Sequence, residues 1–233
     1  MELTFLGTGA GATLGSSRFR SSILVASGAV GVLLDMGAGA NLRLEDMGLT
    51  KSFQALFVTH THLDHFNGLP DHLVLRKITA MPKLFVASPP GLGPVLSAMK
   101  AAGNDIEVEL LEADLPRSSL GDVEVWSVPG CHSIYSVAYV VDDGKKRLLY
   151  SGDTREPCEP ILRELKGVDL VVHESSCLED CSRWGHTSVQ EALNFFSGKR
   201  LVLTHIPSQI VKEAEQLVGG KAIIARDGLM IRM

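Results

Sequence analysis

Cysteine is scarce. Four residues of 233, Cys131, Cys158, Cys177 and Cys181, stand at irregular spacing in the second half of the chain. That is no disulfide framework for a chain this large, and the sequence predicts reduced thiols. A structural metal on Cys158, Cys177 and Cys181 is the alternative, although no second Cys/His pair stands at finger spacing. Long apolar runs are also lacking: none reaches the roughly 18 residues of a membrane span. The opening MELTFLGTGAG has neither the basic stretch nor the apolar stretch of a secretory signal. The expectation is a cytoplasmic protein that does not enter a membrane. Positive charge is in deficit, with 22 Lys and Arg against 27 Asp and Glu. No global field gathers nucleic acid, so a polyanion would have to meet a local patch. Repeats, low-complexity tracts and linkers are absent from the sequence, and 45% of residues are hydrophobic. Disorder is excluded as the main state, and a single domain over 1–233 is expected.

Short β-branched and apolar runs are plentiful. They recur at 2–6, 22–27, 30–35, 55–59, 83–88, 106–111, 122–128, 136–141, 147–150, 168–172, 200–204 and 229–232, and each predicts a strand. Helical spacing occupies 67–78, 92–102, 158–166, 187–197 and 208–217, the fourth opened by Thr187 or Ser188 with Gln190 and Glu191 following. Hairpin-like strands come first and strand–helix alternation later. The pattern predicts an α/β fold of four layers, αββα, with two mixed β-sheets flanked by helices.

Residues 7–12, GTGAGA, follow a strand and match a dinucleotide fingerprint. The polar TLGSSRFRSS after them is not the amphipathic helix that the fingerprint needs, so no dinucleotide cofactor is expected. A glycine turn is the plain reading; the functional one is an anion site edged by its amides with Arg18 and Arg20.

The segment LFVTHTHLDHFNG is more informative. An apolar strand ends in His60, His62, Asp64 and His65, four potential metal ligands within six residues. On a turning loop His60 and His62 point one way while Asp64 and His65 turn to a neighbouring position, so one segment serves two ions. Further ligands follow other apolar strands: His132 after VEVWSVPG, Asp153 after RLLYSG and His205 after LVLT. Loops at strand ends gather at one sheet edge, where α/β architectures place their sites. His/Asp ligation without thiolate suits zinc, with manganese or iron as other occupants. A carboxylate at Asp153 can bridge two cations and leave a hydroxide between them, which favours hydrolysis.

This combination resembles the metallo-β-lactamase superfamily, whose His-x-His-x-Asp-His signature stands here as His60, His62, Asp64 and His65. The resemblance implies two Zn2+ per chain, one held by His60, His62 and His132 and the other by Asp64, His65 and His205, with Asp153 bridging. Mn2+ or Fe2+ could stand in their place. His62 separates the chain from the oxygen-reducing branch, which usually has glutamate there. The chain is further similar to the tRNase Z-like group, through Phe5 to Gly9, Asp35 to Gly37, His132-Ser133, Ser151 to Thr154, His173-Glu174 and Gly185 to Thr187. In that group the histidine matching His186 protonates the leaving oxygen and the glutamate matching Glu174 orients it. Asp64 there both binds metal and holds the nucleophilic water. The resemblance thus implies a phosphodiesterase, with Asp64, His186 and Glu174 catalytic and Ser133, Thr154, Arg18 and Arg20 as candidate substrate contacts. It also implies an RNA substrate and a homodimer.

Departures qualify the substrate. Only residues 133–152 lie between His132 and Asp153, and they read as a hairpin turning at Asp142-Asp143-Gly144, which leaves no room for the long forms' tRNA-binding arm. His205-Ile206-Pro207-Ser208-Gln209 lacks the group's usual arginine, and Asp35-Met36-Gly37-Ala38-Gly39 its usual glutamate. A short form acting on RNA and a phosphodiesterase of a smaller substrate, such as a cyclic or modified nucleotide or a sugar phosphate, both fit. A lactonase, β-lactamase or thioesterase of the same superfamily is the enzymatic alternative, and a catalytically silent metal- or RNA-binding subunit the non-enzymatic one. Among the remaining residues, Lys145-Lys146-Arg147 read as a solvated turn, His72 as a surface residue of a helix, and Cys131 either as a thiol open to oxidation or metal capture or as a small buried neighbour of His132. His173 reads as support for the site or as strand-end packing, and Trp184 as a stacking wall or as core.

Overall fold

Alternation of period two decides where each strand's side chains go. Ile23 and Val25 join one apolar cluster and Leu24 another, and Val32 and Leu34 part from Leu33 in the same way. In the second half Val137, Tyr139 and Val141 enter the first cluster while Ala138 and Val140 enter a third. Strands apolar at both parities must be covered on both faces, and three clusters between four layers are the result.

The computed structural model describes residues 1–11 and 13–233; Ala12, the last residue of the glycine segment, lies outside them. Its strands are β1 (Glu2–Gly7), β2 (Ser22–Ser27), β3 (Val30–Leu34), β4 (Ala55–Phe57), β5 (Leu84–Ser88), β6 (Val108–Glu112) and β7 (Arg117–Leu120). There follow β8 (Val123–Pro129), β9 (Val137–Asp142), β10 (Arg147–Tyr150), β11 (Leu170–Glu174), β12 (Leu201–Thr204), β13 (Ile223–Ile224) and β14 (Met230–Arg232). They form two seven-stranded sheets, ordered β14-β1-β2-β3-β4-β5-β6 and β13-β12-β11-β10-β9-β8-β7. Each sheet is antiparallel on one side and parallel on the other. The expected αββα architecture with two mixed sheets is what the chain adopts.

Helices cover the outer faces: α1 (Ala40–Asp46), α2 (Leu63–Phe66), α3 (Leu69–Ile78) and α4 (Leu92–Ala101) follow strands of the first sheet, and α5 (Glu159–Glu164), α6 (Val189–Phe195) and α7 (Val211–Val218) strands of the second. The predicted cap is present at α6, where Ser188 accepts from the Glu191 amide and the Glu191 carboxylate accepts from the Ser188 amide. The 133–152 segment is the expected hairpin, with Gly144 at φ +77° in its turn. Lys146 and Arg147 are paired there with Asp169 and Asp142.

Four expectations need correction. The strands β7 and β13 are not legible as apolar runs, because β7 reads RSSL and β13 has two residues. The strand predicted to end at residue 59 leaves its ladder after Phe57, since the Thr59 amide donates to the Asp35 carboxylate instead. The cysteines are not free: Cys131 pairs with Cys158 and Cys177 with Cys181, and the chain brings the first two Cα atoms to 5.8 Å across 27 residues. Tertiary packing, not spacing, set that proximity.

His72 is not on the surface. It is fully buried in α3, stacked against Phe53. Asn41 Nδ2 donates to Gly68 O and to Asp71, so its Oδ1 accepts the His72 Nδ1–H and leaves Nε2 facing Arg76. Burial, then the Arg76 guanidinium, lowers the His72 pKa to about 4. An imidazole that refuses its proton when folded contributes stability above its unfolded pKa. That contribution is lost as pH falls from about 6.5 towards 4, because the unfolded chain is protonated first. Metal-free His72→Gln should therefore lose less Tm than the parent protein over that interval. Thermal melts followed by circular dichroism check this, and equal losses in the two proteins would overturn it.

Candidate metal centre

The loops that leave one edge of the two sheets carry the ligand-type residues. Asp35 follows β3, residues 58–65 follow β4, His132 follows β8, Asp153 follows β10, Glu174 closes β11 and His205 follows β12. Two of these, Asp35 and His205, sit at φ +56° and +55° without being glycine. Such left-handed backbone is costly and persists where surrounding contacts fix it. Gly152, at φ +56°, lies so close to Thr59 that an added Cβ would stand 2.7 Å from the threonine Cβ.

Two clusters result, each with its ligand atoms within 4.8 Å of one another and each able to hold a metal ion: His60, His62, His132 and Asp153, and Asp64, His65, His205 and Asp153. In the first, His60 Nε2 and His132 Nε2 each lie 3.1 Å from His62 Nδ1. Asp153 Oδ2 lies 3.7 Å from His60 Nε2 and 4.0 Å from His132 Nε2. In the second, Asp153 Oδ1 lies 3.3 Å from His65 Nε2 and 3.5 Å from His205 Nε2. Asp64 Oδ2 lies 3.5 and 3.0 Å from the same two nitrogens. Asp153 thus divides its two oxygens between the clusters.

Other hydrogen bonds fix which nitrogen of each ring faces inward. Asp35 Oδ2 accepts from His65 Nδ1 at 2.7 Å, from Tyr150 at 2.8 Å and from the Thr59 hydroxyl at 2.9 Å. With its proton so used, Thr59 Oγ1 accepts from His60 Nδ1. His132 Nδ1 donates to Gly185 O at 2.7 Å and His205 Nδ1 to Ser176 Oγ at 2.9 Å. All four rings therefore turn Nε2 inward. Lone pairs 3.1 Å from the same His62 nitrogen cannot all be satisfied by one N–H. His65 Nε2 and Asp153 Oδ1 are buried with no hydrogen-bond partner among the described residues. Orphaned acceptors converging from His and Asp fit a divalent cation of borderline softness.

The electrostatics agree. Burial above all pushes the His60, His62 and His132 pKa values down, keeping these imidazoles neutral. His65 differs from these three: burial opposes its charge, but the carboxylates of Asp153 and Asp35 outweigh it and raise its pKa well above the ordinary value, so without a cation its Nε2 carries a proton that metal binding would displace. Burial raises Asp64, yet the close approach of His205 Nε2, 3.0 Å away, and the facing imidazoles bring it below the ordinary carboxylate range.

Beside the clusters stands a second constellation. Glu174 Oε1 accepts from His186 Nδ1 at 2.8 Å and from the Thr154 amide at 3.1 Å. Ser176 donates to Glu174 Oε2 at 2.8 Å while accepting from His205. Glu174, His186 and His205 also lie close enough for a cation, but here hydrogens of the chain itself fill the gaps. Burial opposes a proton on His186, and the hydrogen bond and charge of Glu174 prevail, raising it to about 9.

A cavity of about 670 Å³ opens over this edge, lined by Asp64, Asp153, His62, His186 and His205 among others. Ser133, Thr154, Arg18 and Arg20 are not in its lining. Thr154 is buried, accepting from the Cys131 amide. Arg18 is spent on Thr8, Ile206 O and Ala225 O, and Arg20 on Ala10 O and Ser16. Both brace the glycine loop. Gly7 is obligatory there, since a Cβ would stand 1.8 Å from Arg20 O. His173 is buried behind Glu174, with Nε2 3.2 Å from Glu156. Sequence reading gave no role to Asp35, Thr59, Tyr150 or Ser176. The first two carried a signal, an Asp-x-Gly strand end and a hydroxyl preceding the first ligand; the others carried none.

A family model described as beta-lactamase superfamily domain matches residues 32–206. The chain belongs to that superfamily. Within it, the chain is 25% identical to a ribonuclease Z of Metallosphaera sedula, covering 96% of this chain and 94% of the relative. It is 24% identical to a ribonuclease Z of Methanothermobacter thermautotrophicus, over 100% and 97%. Among solved structures, the short form of human tRNase Z superposes with a TM-score of 0.84 at 23% identity, covering 100% and 99%. A diphosphatase from the PhnP family superposes at 0.83 and 22%, covering 100% and 97%. The likeness to these two structures is a likeness of fold.

The Asp35 contacts carry a prediction for this superfamily member. In Asp35→Asn the amide group has one acceptor where four donors converge, and His65 loses the partner that fixes its tautomer. Metal affinity should fall by about 10- to 100-fold, the usual effect of losing a ligand's supporting contact. Metal analysis after dialysis against graded chelator checks it, and unchanged retention would refute the role.

Proposed function

We propose that the chain is a dinuclear metal-dependent phosphodiesterase. The observation that carries the proposal is the pairing of two cation cups, bridged by the split carboxylate of Asp153, with a charged Glu174–His186 pair 3.9 Å from that carboxylate. Names of similar proteins, ribonuclease Z and diphosphatase, support cleavage of a P–O bond. His60, His62, His132 and Asp153 would hold one cation and Asp64, His65, His205 and Asp153 the other, with Zn2+ in both and Mn2+ or Fe2+ as substitutes. When bound, two such cations neutralise phosphoryl oxygens and acidify water at the site.

The chain's own residues divide the remaining work. Asp64, kept ionised by the imidazoles that face it, orients the attacking water as a hydrogen-bond acceptor. His186 keeps Nδ1–H on Glu174, so Nε2–H is the proton it offers to the leaving oxygen as the P–O bond breaks. Glu174 is itself held by the Thr154 and Thr187 amides and by Ser176, so the acid cannot swing away. A thioester needs less help from such an acid, because a thiolate leaves without the proton that an alkoxide requires.

The test is turnover of bis(p-nitrophenyl) phosphate by metal-quantified protein beside a lactone and a thioester. Phosphodiester cleavage dependent on added zinc or manganese is expected; cleavage of a carbonyl substrate alone would sink the proposal. On a phosphodiester with an alkoxide leaving group, His186→Ala should keep its metal and lose about 10²- to 10⁴-fold in kcat, whereas Asp153→Ala should lose metal and turnover together. The acid must be protonated to act, so kcat should fall as pH rises through the His186 pKa. In Glu174→Gln that alkaline limb should move to lower pH, because the carboxylate that raises the pKa is gone. An unmoved limb would remove His186 from the role of acid.

A further inference from the structure

Trp184 is not core. More than half of its surface, 54%, is exposed, yet it lines the same cavity as Asp64, His186 and the two clusters. An exposed indole in a catalytic cavity carries a large apolar cost, and its position here is fixed. The Trp184 amide donates to Cys181 O and the Gly185 amide to Ser182 O, closing a short helical turn. That turn is anchored on one side by the Cys177–Cys181 pairing. On the other, Gly185 O accepts from His132 Nδ1, and no side chain fits at Gly185, where a Cβ would lie 2.7 Å from the Ser133 amide nitrogen and 2.9 Å from His132 Nδ1. The indole is thereby held at a set distance from a cation cup and two residues from the acid His186. The Arg183 guanidinium lies 3.8 Å from the centre of its ring system, so the platform is cationic as well as aromatic.

The cavity's other features limit what such a platform takes. Among the described residues its lining contains no lysine or arginine, and the chain's net charge is −5. A volume of about 670 Å³ is that of a small-molecule site. Long polyanions need several phosphate-neutralising cations along a track, and the cavity wall offers instead one indole, backed by the Arg183 guanidinium packed over its ring outside the lining. We infer that Trp184 and Arg183 form the base subsite of a nucleotide-sized phosphodiester substrate, its nucleobase stacked on the indole next to the scissile phosphate. The inference rests on the phosphodiesterase reading and names its substrate class.

Binding separates the two. Isothermal titration of the metal-loaded protein with adenosine 5′-monophosphate and with ribose 5-phosphate compares ligands that differ only by the base. The nucleotide should bind about tenfold more tightly, the usual gain from one stacked base. Trp184→Ala should erase that advantage and leave ribose 5-phosphate binding unchanged, and Trp184→Phe should restore part of it. Trp184 is 54% exposed with Arg183 packed over its ring, and unchanged metal content and Tm in the variants would show that the fold is intact. Equal binding of the two ligands, no binding of either, or an advantage that survives Trp184→Ala would overturn the inference. An adenylate dodecamer that binds a hundredfold more tightly than the mononucleotide would overturn the size it assigns. If the base advantage on Trp184 is found while bis(p-nitrophenyl) phosphate is inert, the subsite stands and the phosphodiesterase reading fails.

Discussion

One buried carboxylate constrains the whole centre. Asp35 has no exposure and accepts from the Thr59 amide and hydroxyl, His65 and Tyr150. Burying a charge is tolerable when every lone pair is used, and here each donor that satisfies it belongs to an element of the site. The Thr59 amide leaves the β4 ladder to reach it, which releases the strand into the ligand loop. The Thr59 hydroxyl passes the orientation on to His60. Tyr150 ties in the second sheet at the end of β10, three residues before Asp153. The left-handed backbone at Asp35 is the conformational cost of this arrangement, offset by four hydrogen bonds to a charged acceptor.

The two sheets make that convergence possible. Each has a parallel half whose strands all end at one edge, so β3 and β4 of one sheet and β10, β11 and β12 of the other deliver their following residues to the same place. The inter-sheet core, which includes Phe57, Tyr139, Leu148 and Val172, sets how far apart those edges lie. Ligands from residues 60 to 205 then meet without any long loop having to reach. The shared ligand Asp153 follows from the same geometry, since it stands on the second sheet facing a loop that carries ligands of both cups.

What the sequence disclosed, and what it hid, follows from locality. The ligand-type residues were legible because they cluster in one loop or punctuate apolar strands, and both patterns are properties of neighbours in the chain. The αββα layering was legible for the same reason, since a strand apolar at both parities announces two covers. Ser176 was invisible: its hydroxyl matters only because β12 brings His205 to it from 29 residues away. The cysteine pairs and buried His72 failed similarly, each depending on packing across elements that spacing does not encode. Arg18 and Arg20 misled in the opposite sense. Two arginines beside a glycine run suggest an anion site, but backbone carbonyls of the folded loop take them first.

Ser176 also explains why the acid and the metal cups are one device. Its hydroxyl has a single proton, given to Glu174, and its oxygen accepts the proton of His205. The direction of that chain is fixed, because a carboxylate cannot donate and the inward lone pair of His205 requires its Nδ1 to keep the hydrogen. Glu174 therefore orients two imidazoles with different duties: through Oε1 it holds His186 as a donor, and through Oε2 and Ser176 it turns His205 Nε2 toward the cup. Direct contact with a carboxylate favours the imidazolium, while the interposed hydroxyl withdraws the negative charge and leaves only an acceptor. One side chain, acting directly on one ring and through a hydroxyl on the other, thus orients both the histidine placed to donate a proton and the histidine placed to bind metal.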